Sequence, residues 1–182
     1  MSVIAALGTF VVIAATAIAA IVQLRHMRSS NQIAILTELR EEYADPEFIA
    51  AREFVRRLST ELDDPHVRAQ LREDPLPIAL RQFLRVAYVY ENLGCFVKRG
   101  ILDTDLVCDL WAPVVWGMWR TMAPAIVIAR RTKGQSIMEN FEYLAFVSNR
   151  YLEKHPTSYP RRIPRIAPED KWLAQDAGVK QI

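Results

Sequence analysis

The sequence predicts an all-α protein in which a single N-terminal transmembrane helix continues as a stalk into a helical bundle, with an extended, proline-rich tail behind it. Three observations support this fold class. An uncharged apolar run opens the chain, and apolar residues then recur at three- and four-residue intervals between clear helix breaks. No two-residue alternation is long enough to predict a strand. After about Lys154, prolines recur at Pro156, Pro160, Pro164 and Pro168, which is typical of an extended segment.

The apolar run from Val3 to Leu24 predicts a membrane span. As a helix it would be about 33 Å long, against a hydrocarbon core of about 30 Å. Arg25 and Arg28 follow the run, and nothing basic precedes it except the amino terminus. The positive-inside rule therefore predicts a single-pass protein of the inner or plasma membrane, with its N-terminus outside and its C-terminal domain in the cytoplasm. A cleaved signal peptide is the alternative, because Ala15-Thr16-Ala17 fits a cleavage site, but a basic n-region is missing.

Four segments follow from this pattern: a transmembrane helix, a juxtamembrane stalk, a cytoplasmic bundle and a basic tail, over residues 1–24, 25–44, 45–153 and 154–182. The stalk is expected to continue the first helix unless Ser29-Ser30-Asn31 bends it. The tail is expected to be mostly irregular, and Pro168-Glu169-Asp170 could start a short helix over residues 168–177.

Capping residues indicate where the helices of the bundle begin. Asp45 and Asp103 are good N-caps, and proline follows Asp45 at the first helical position. Ser136 with Glu139 three residues later reads as a capping box. Pro113 removes a backbone donor, so we expect a kink or a break in the helix just before it.

Charge, cysteine and histidine content exclude several classes of site. The net charge is +2, and no reading helix or aromatic-basic surface suggests nucleic acid. Cys95 and Cys108 lie among apolar residues and are expected to be free, buried thiols. The three histidines have no metal-ligand spacing, and the glycines form no phosphate-binding loop. We therefore expect no metal, no cofactor and no catalytic residue, and we identify no small-molecule ligand.

Glu91 and Asn92 are the most conspicuous polar residues of the predicted bundle, because they interrupt its most apolar helix. A buried carboxylate needs a partner. Arg81 and Arg85 lie on the same helix, and Arg120 or Arg130 on the following helix could reach across. Such a site is either a ligand or switch site or a structural ion pair that fixes helix register.

Two sets of residues are candidate contact surfaces. The tryptophans of one predicted helix, Trp111, Trp116 and Trp119, are either core residues or a surface for a partner or the membrane interface.

The basic residues form two groups, Arg130-Arg131-Lys133 and the tail residues Arg161, Arg162 and Arg165. Each group either contacts the anionic inner leaflet or is simply solvated.

A family resemblance rests on three stretches of the body: residues 90–103 (YENLGCFVKRGILD), Trp119 and Pro124 ahead of Arg130-Arg131, and residues 141–145 (FEYLA). From about Val22 to Tyr151 the chain resembles a family of bacterial proteins with a domain of unknown function behind one N-terminal membrane helix. The resemblance implies a helical, membrane-anchored protein and supplies no activity. It points to Glu91, Arg130 and Glu142 as polar positions to test.

The function we expect by elimination is a non-enzymatic, membrane-tethered interaction module, an adaptor or regulator of a membrane-associated complex. Its partners would be the lipid bilayer and either another protein or a second copy of itself. Small residues four apart, as in Ala15-x-x-x-Ala19, would allow self-association. The alternatives are an oligomeric protein that perturbs the bilayer and an enzyme on a membrane-derived substrate with Glu91 as acid or base.

Overall fold

A computed structural model of the chain describes residues 3–157, 159 and 162–166. The predicted all-α class is confirmed, because the described residues contain α-helices and one 3-10 turn and no strand. The helices are α1 (Val3–Ala44), α2 (Pro46–Thr60), α3 (Pro65–Gln70), α4 (Arg81–Lys98), α5 (Thr104–Lys133) and α6 (Glu139–Lys154). The predicted short helix over residues 168–177 lies outside the described residues.

The first helix, α1, is unbroken from the apolar run to the start of the bundle. Ser29-Ser30-Asn31 does not bend it enough to interrupt the helix. Two helical stretches are long and apolar enough to cross a membrane, Gly8–Ala44 and Thr104–Lys133. They differ in burial: the apolar window of the first is 0% buried within the protein, whereas that of the second is 44% buried. The second stretch is α5, a core helix of the bundle, and α1 is the candidate membrane span.

The helices of the bundle alternate in direction. Arg28 of α1 lies beside Gly100 and Tyr43 lies beside Tyr90, so α4 runs antiparallel to the second half of α1. A short loop then reverses the chain into α5. Because Trp119 contacts Phe141 and Asp109 contacts Tyr151, α6 runs antiparallel to α5.

These directions give the bundle two distinct ends. We call the end that holds the α4–α5 loop and the last turn of α6 the proximal end, because it lies nearest the apolar half of α1. We call the end that holds the last turns of α1 and α5 the distal end.

The core lies where α2, α4, α5 and α6 meet. Its fully buried large side chains come from all four of these helices and from the loops between them, and include Phe48, Val55, Leu71, Val86, Tyr90, Leu93, Leu102, Val107, Met122, Ile126, Phe141 and Leu144. On α2 the buried positions are those with three- and four-residue spacing, as its sequence pattern predicted. Side chains of α1 from Ile35 to Tyr43 pack against this core from outside.

Two local predictions concern helix boundaries. Of the kink or break expected near Leu110 to Ala112, the break is absent: α5 is helical from Thr104 to Lys133, and the buried Ala112 and Val115 hold it against the core. Ser136 is not the N-cap of α6: the helix begins after Met138, which has a left-handed backbone (φ 58°) and makes no side-chain capping bond. The cap comes instead from another helix, as described below.

The cysteines are close to their predicted state. Both are free thiols; Cys108 is buried, but Cys95 is only half-buried. Burial raises the pKa of the Cys108 thiol, which keeps it protonated and unreactive near neutral pH.

Candidate functional site at the start of α6

A very close helix contact lies between Gly94 of α4 and the first turn of α6. A Cβ atom placed on Gly94 would lie only 2.0 Å from the backbone carbonyl oxygen of Asn140. Glycine is therefore required here, because any side chain would force the two helices apart.

Glu91, one helical turn before Gly94, caps α6. Its Oε2 accepts a hydrogen bond from the backbone N–H of Phe141 at 2.8 Å, and its Oε1 accepts one from Nδ2 of Asn140 at 2.8 Å. Phe141 is the third residue of α6, where a free N–H needs an acceptor and the helix dipole favours a negative charge. A carboxylate from α4 thus replaces the local cap that α6 lacks.

Arg130 and Glu142 hold the loop that leads into α6. The Nε of Arg130 donates to the carbonyl oxygen of Ile137 at 2.8 Å, and its Nη2 lies 2.7 Å from Oε2 of Glu142. The Arg130 side chain is only 10% exposed, against 51% for Glu142, so the arginine is the desolvated partner. Glu91 and Arg130 therefore act on the same short segment, residues 137–142, but each has its own partners.

Asn92 is not part of this cluster. It is exposed on the side of α4 that faces α1, in a shallow groove with Glu38 and Phe96. Because neighbouring residues on a helix point about 100° apart, Asn92 turns away from α6 when Glu91 faces it. The expectation that both residues are buried in one polar site is wrong for Asn92.

A cavity of about 580 Å³ opens at the distal end, beside Glu91. Its walls are mostly apolar side chains of α4, α5 and the loops next to them, and they include Leu71, Phe83, Leu84, Ile126, Ile137 and Met138. Lys133 also lines the cavity, with its ammonium nitrogen 3.9 Å from a carboxylate oxygen of Asp74. The cavity is large enough for a small ligand or an apolar side chain, and Glu91 lies in its lining with one hydrogen bond from α6 to each carboxylate oxygen.

The three predicted tryptophans lie on α5, half-buried against the core. Trp119 packs edge-on against Phe141, with ring centroids 5.1 Å apart. Tyr90 stacks on the same Phe141 ring, with centroids 4.7 Å apart. Trp111 also lines a groove between α1 and α5. The aromatic side chains therefore join α4, α5 and α6 around the capped start of α6.

One predicted basic group lies at the distal end of the bundle, and the other follows α6 in the sequence. Arg131 and Lys133 are at the distal end of α5, far from the apolar half of α1. The tail follows the proximal end of α6. Arg161 lies outside the described residues; Arg162 is exposed, and Arg165 stacks its guanidinium 5.0 Å above the Tyr159 ring.

A joint between α1 and the bundle, which the sequence analysis did not anticipate, centres on Arg85 of α4. Its guanidinium lies within 3.2 Å of carboxylate oxygens from Glu42 and Asp45 and 2.8 Å from that of Glu47. Asp45 also caps α2. The pKa of its carboxyl lies below the usual range, because it accepts from the N–H of Glu47 and that of Phe48 and lies beside the charge of Arg85. In the sequence, the only sign of this joint is that three carboxylates lie within six residues, from Glu42 to Glu47.

A buried tyrosine pair completes the joint. The hydroxyl groups of Tyr43 and Tyr90 are hydrogen-bonded at 2.5 Å, and burial raises the pKa of both. The guanidinium of Arg52 lies over the Tyr43 ring at 5.2 Å from its centroid, which favours a cation–π contact. The last turn of α1 is thus fixed to α2 and α4 by polar and aromatic contacts together.

Within the described residues, no group of three or more His, Cys, Asp or Glu side chains could hold a metal ion. Taken together, the fold and these contacts define a class: a compact helical bundle carried on one long apolar N-terminal helix. The sequence model of the family described as "Domain of unknown function (DUF4760)" matches residues 10–146, and the chain belongs to this family. The predicted family resemblance is therefore confirmed. No curated protein and no solved structure matched the chain.

Proposed function

We propose that the protein is a membrane-tethered, non-enzymatic interaction module that acts as an adaptor or regulator of a membrane-associated complex. The observation that carries this proposal is the division of α1 into two halves. Its first half exposes apolar side chains such as Phe10 and Ile18, which are 70% and 64% exposed, and its second half packs against the core. One unbroken helix therefore links a lipid-compatible surface to a folded bundle.

Contacts at both ends of the stalk support a rigid tether. Near its start, Arg28 and Gln32 donate to the carbonyl oxygens of Gly100 and Ile101 at 3.0 and 3.1 Å. At its end, about 21 Å further along the helix, Arg85 binds the carboxylate of Glu42 in the last turn of α1 and those of Asp45 and Glu47 just after it. A flexible linker would need none of these contacts, so the bundle is held at a fixed distance from the membrane.

The polar cluster at the start of α6 supports a non-catalytic role. Both carboxylate oxygens of Glu91 accept hydrogen bonds from α6, and Arg130 is engaged by Ile137 and Glu142. Every hydrogen bond and ion pair that these two side chains make is to α6 or to the loop before it. These groups instead fix the position of one helix against another.

The charges that flank the span support a cytoplasmic bundle. Arg25 and Arg28 lie directly after the apolar run, and cytoplasmic flanks carry an excess of such residues. Two free thiols are typical of a reducing compartment. We therefore propose a single-pass protein of the inner or plasma membrane with the distal end directed into the cytoplasm.

A topology reporter and a photo-crosslinker test this proposal in native membranes. A reporter fused after Ile182 should give a cytoplasmic signal, and deletion of residues 1–24 should release the protein from the membrane fraction. A crosslinking amino acid at Tyr88, which is exposed beside the distal cavity, should capture one defined partner protein. The matched control is the same amino acid at the exposed Glu53 of α2, which lies outside the lining of that cavity.

Several results would refute parts of the proposal. An external reporter signal would refute the orientation, and a deletion variant that stays in the membrane would refute the tether. Capture of nothing but the protein itself would replace the adaptor with a self-assembling protein. Equal capture of the same protein from Tyr88 and Glu53 would show that no defined surface selects it.

A further inference from the structure

The α4–α5 loop lies at the level where the apolar run of α1 ends. Arg28, whose Nη2 donates to the carbonyl oxygen of Gly100 at 3.0 Å, is only about one helical turn, or roughly 6 Å, beyond Leu24. Gln32 donates to the carbonyl oxygen of Ile101 at 3.1 Å. If the run ending at Leu24 crosses the membrane, as proposed above, this loop lies at the depth of the lipid headgroups.

The loop is a fixed structure. Gly100 has a left-handed backbone (φ 66°), and the N–H of Ile101 donates to the carbonyl oxygen of Phe96 at 2.9 Å, which closes the end of α4 in a Schellman-type turn. The turn leaves the side chain of Ile101 44% exposed and that of Arg99 exposed as well. An apolar side chain beside a cation, held at this depth, is an arrangement suited to a lipid surface.

Further cations gather at the same end of the bundle. Because α6 runs antiparallel to α5, its last residue Lys154 lies at the proximal end, near the start of α5, and is exposed. Together with Arg25, Arg28 and Arg99, Lys154 forms what we call the proximal basic face; Lys98 is at the same end of α4, but its Nζ donates to Asn140 of α6 at 3.3 Å.

Acidic residues at this end are fewer, and several are already engaged. Asp103 caps α5 by accepting from the N–H of Leu106, and Asp109 accepts from the hydroxyl of Tyr151. Glu153 pairs with Arg150, and Asp105 is exposed near the start of α5. Each of these carboxylates keeps its charge, so the six proximal cations of the described residues (Arg25, Arg28, Lys98, Arg99, Arg150 and Lys154) exceed the four carboxylates by two.

We propose that the proximal basic face docks on anionic phospholipid headgroups, with Ile101 seated among them. This inference rests on the proposed function, because it requires the first half of α1 to cross the bilayer. It goes further by assigning a second membrane contact, which fixes the tilt of the bundle. Each basic residue close to an anionic surface strengthens docking by about fivefold, the equivalent of about 1 kcal/mol.

The test measures how readily a thiol at position 101 reacts with a water-soluble maleimide. Ile101→Cys is placed in the full chain and reconstituted into nanodiscs of phosphatidylcholine with or without 30% phosphatidylglycerol. The chain without this substitution supplies the background, since Cys95 is half-buried and Cys108 is buried. Docking predicts labelling that is at least fivefold slower in the anionic nanodiscs than in the zwitterionic ones.

Matched charge variants identify the surface responsible. Arg99→Gln with Lys154→Gln should restore fast labelling in anionic nanodiscs, because two cations are lost from the proximal basic face. Arg81→Gln with Arg131→Gln removes the same charge from exposed positions at the distal end and should leave the slow labelling unchanged.

The outcomes separate this inference from the proposed function. A chain that enters nanodiscs but labels equally fast in both lipids overturns the docking and leaves the tether intact. Equally slow labelling in both lipids overturns the role of charge, as does an equal effect of the two double variants. A chain that does not enter nanodiscs at all overturns both proposals.

Discussion

Replacement of Gly94 by alanine is the sharpest test of the packing between α4 and α6. The added Cβ would lie 2.0 Å from the carbonyl oxygen of Asn140, and real Cβ contacts do not fall below 3.0 Å, so α6 must move by at least 1 Å. That movement breaks the hydrogen bonds of 2.8 Å to Glu91. Overpacking costs about 1–3 kcal/mol and the lost bonds to a charged acceptor about 1.5–3, while alanine returns about 1 through helix propensity. The net loss is about 2–5 kcal/mol.

Unfolding of the full chain by urea in mild detergent, followed by near-UV circular dichroism, measures this loss. Gly117→Ala is the matched control: Gly117 also lies inside a helix, but a Cβ there meets nothing within 4 Å, so this variant should gain up to about 1 kcal/mol. If Gly94→Ala proved as stable as Gly117→Ala, the close approach of the two helices would be refuted.

Three further predictions concern the caps and the joint. Glu91→Gln removes the charge that faces the N–H of Phe141, and urea unfolding should show a loss of about 1–2 kcal/mol; an unchanged midpoint would contradict the capping role. Asp45→Asn keeps a good N-cap but cannot ionise. Because the folded-state pKa of Asp45 is lowered, its contribution is present above the unfolded pKa of about 3.9 and disappears as pH falls through the folded value. Unfolding curves from pH 6 to 2 should therefore fall less steeply for the variant, and parallel curves would count against the prediction. Tyr43→Phe leaves the buried hydroxyl of Tyr90 without its partner and should cost about 1–3 kcal/mol, whereas the double variant with Tyr90→Phe should recover part of that loss. Additive losses in this cycle would mean that the two hydroxyl groups do not interact.

Local signals predicted the helices well, because the physics that starts a helix acts within a few residues. Asp45 and Asp103 cap the helices that follow them, as their side chains and positions indicated. The long apolar run and the absence of breaks after it predicted that α1 would be continuous. These features depend on neighbours in sequence, so a single chain contains enough information to find them.

The partners of Glu91 could not be predicted by the same reasoning. A buried carboxylate is expected to pair with a cation, but Glu91 instead accepts from a backbone N–H and from the amide of Asn140. No residue type marks a free N–H on a distant helix. The need for glycine at position 94 could not be predicted either, because it depends on how closely α6 approaches α4. Ser136 looked like a cap for α6 because the alternative cap lies on α4. Such contacts depend on tertiary geometry, and sequence spacing alone does not give it.

Because α1 is unbroken, the number of residues between its apolar run and the bundle determines how the bundle is rotated about the helix axis. Each residue of a helix advances it by about 1.5 Å and turns it by about 100°. A single residue inserted between Leu24 and Arg28 would therefore lift the bundle only slightly, yet swing it through more than a quarter turn around the helix axis. Four inserted residues would lift it by about 6 Å and restore most of the original facing. The register between the apolar run and the stalk thus determines which side of the bundle a neighbour in the membrane encounters.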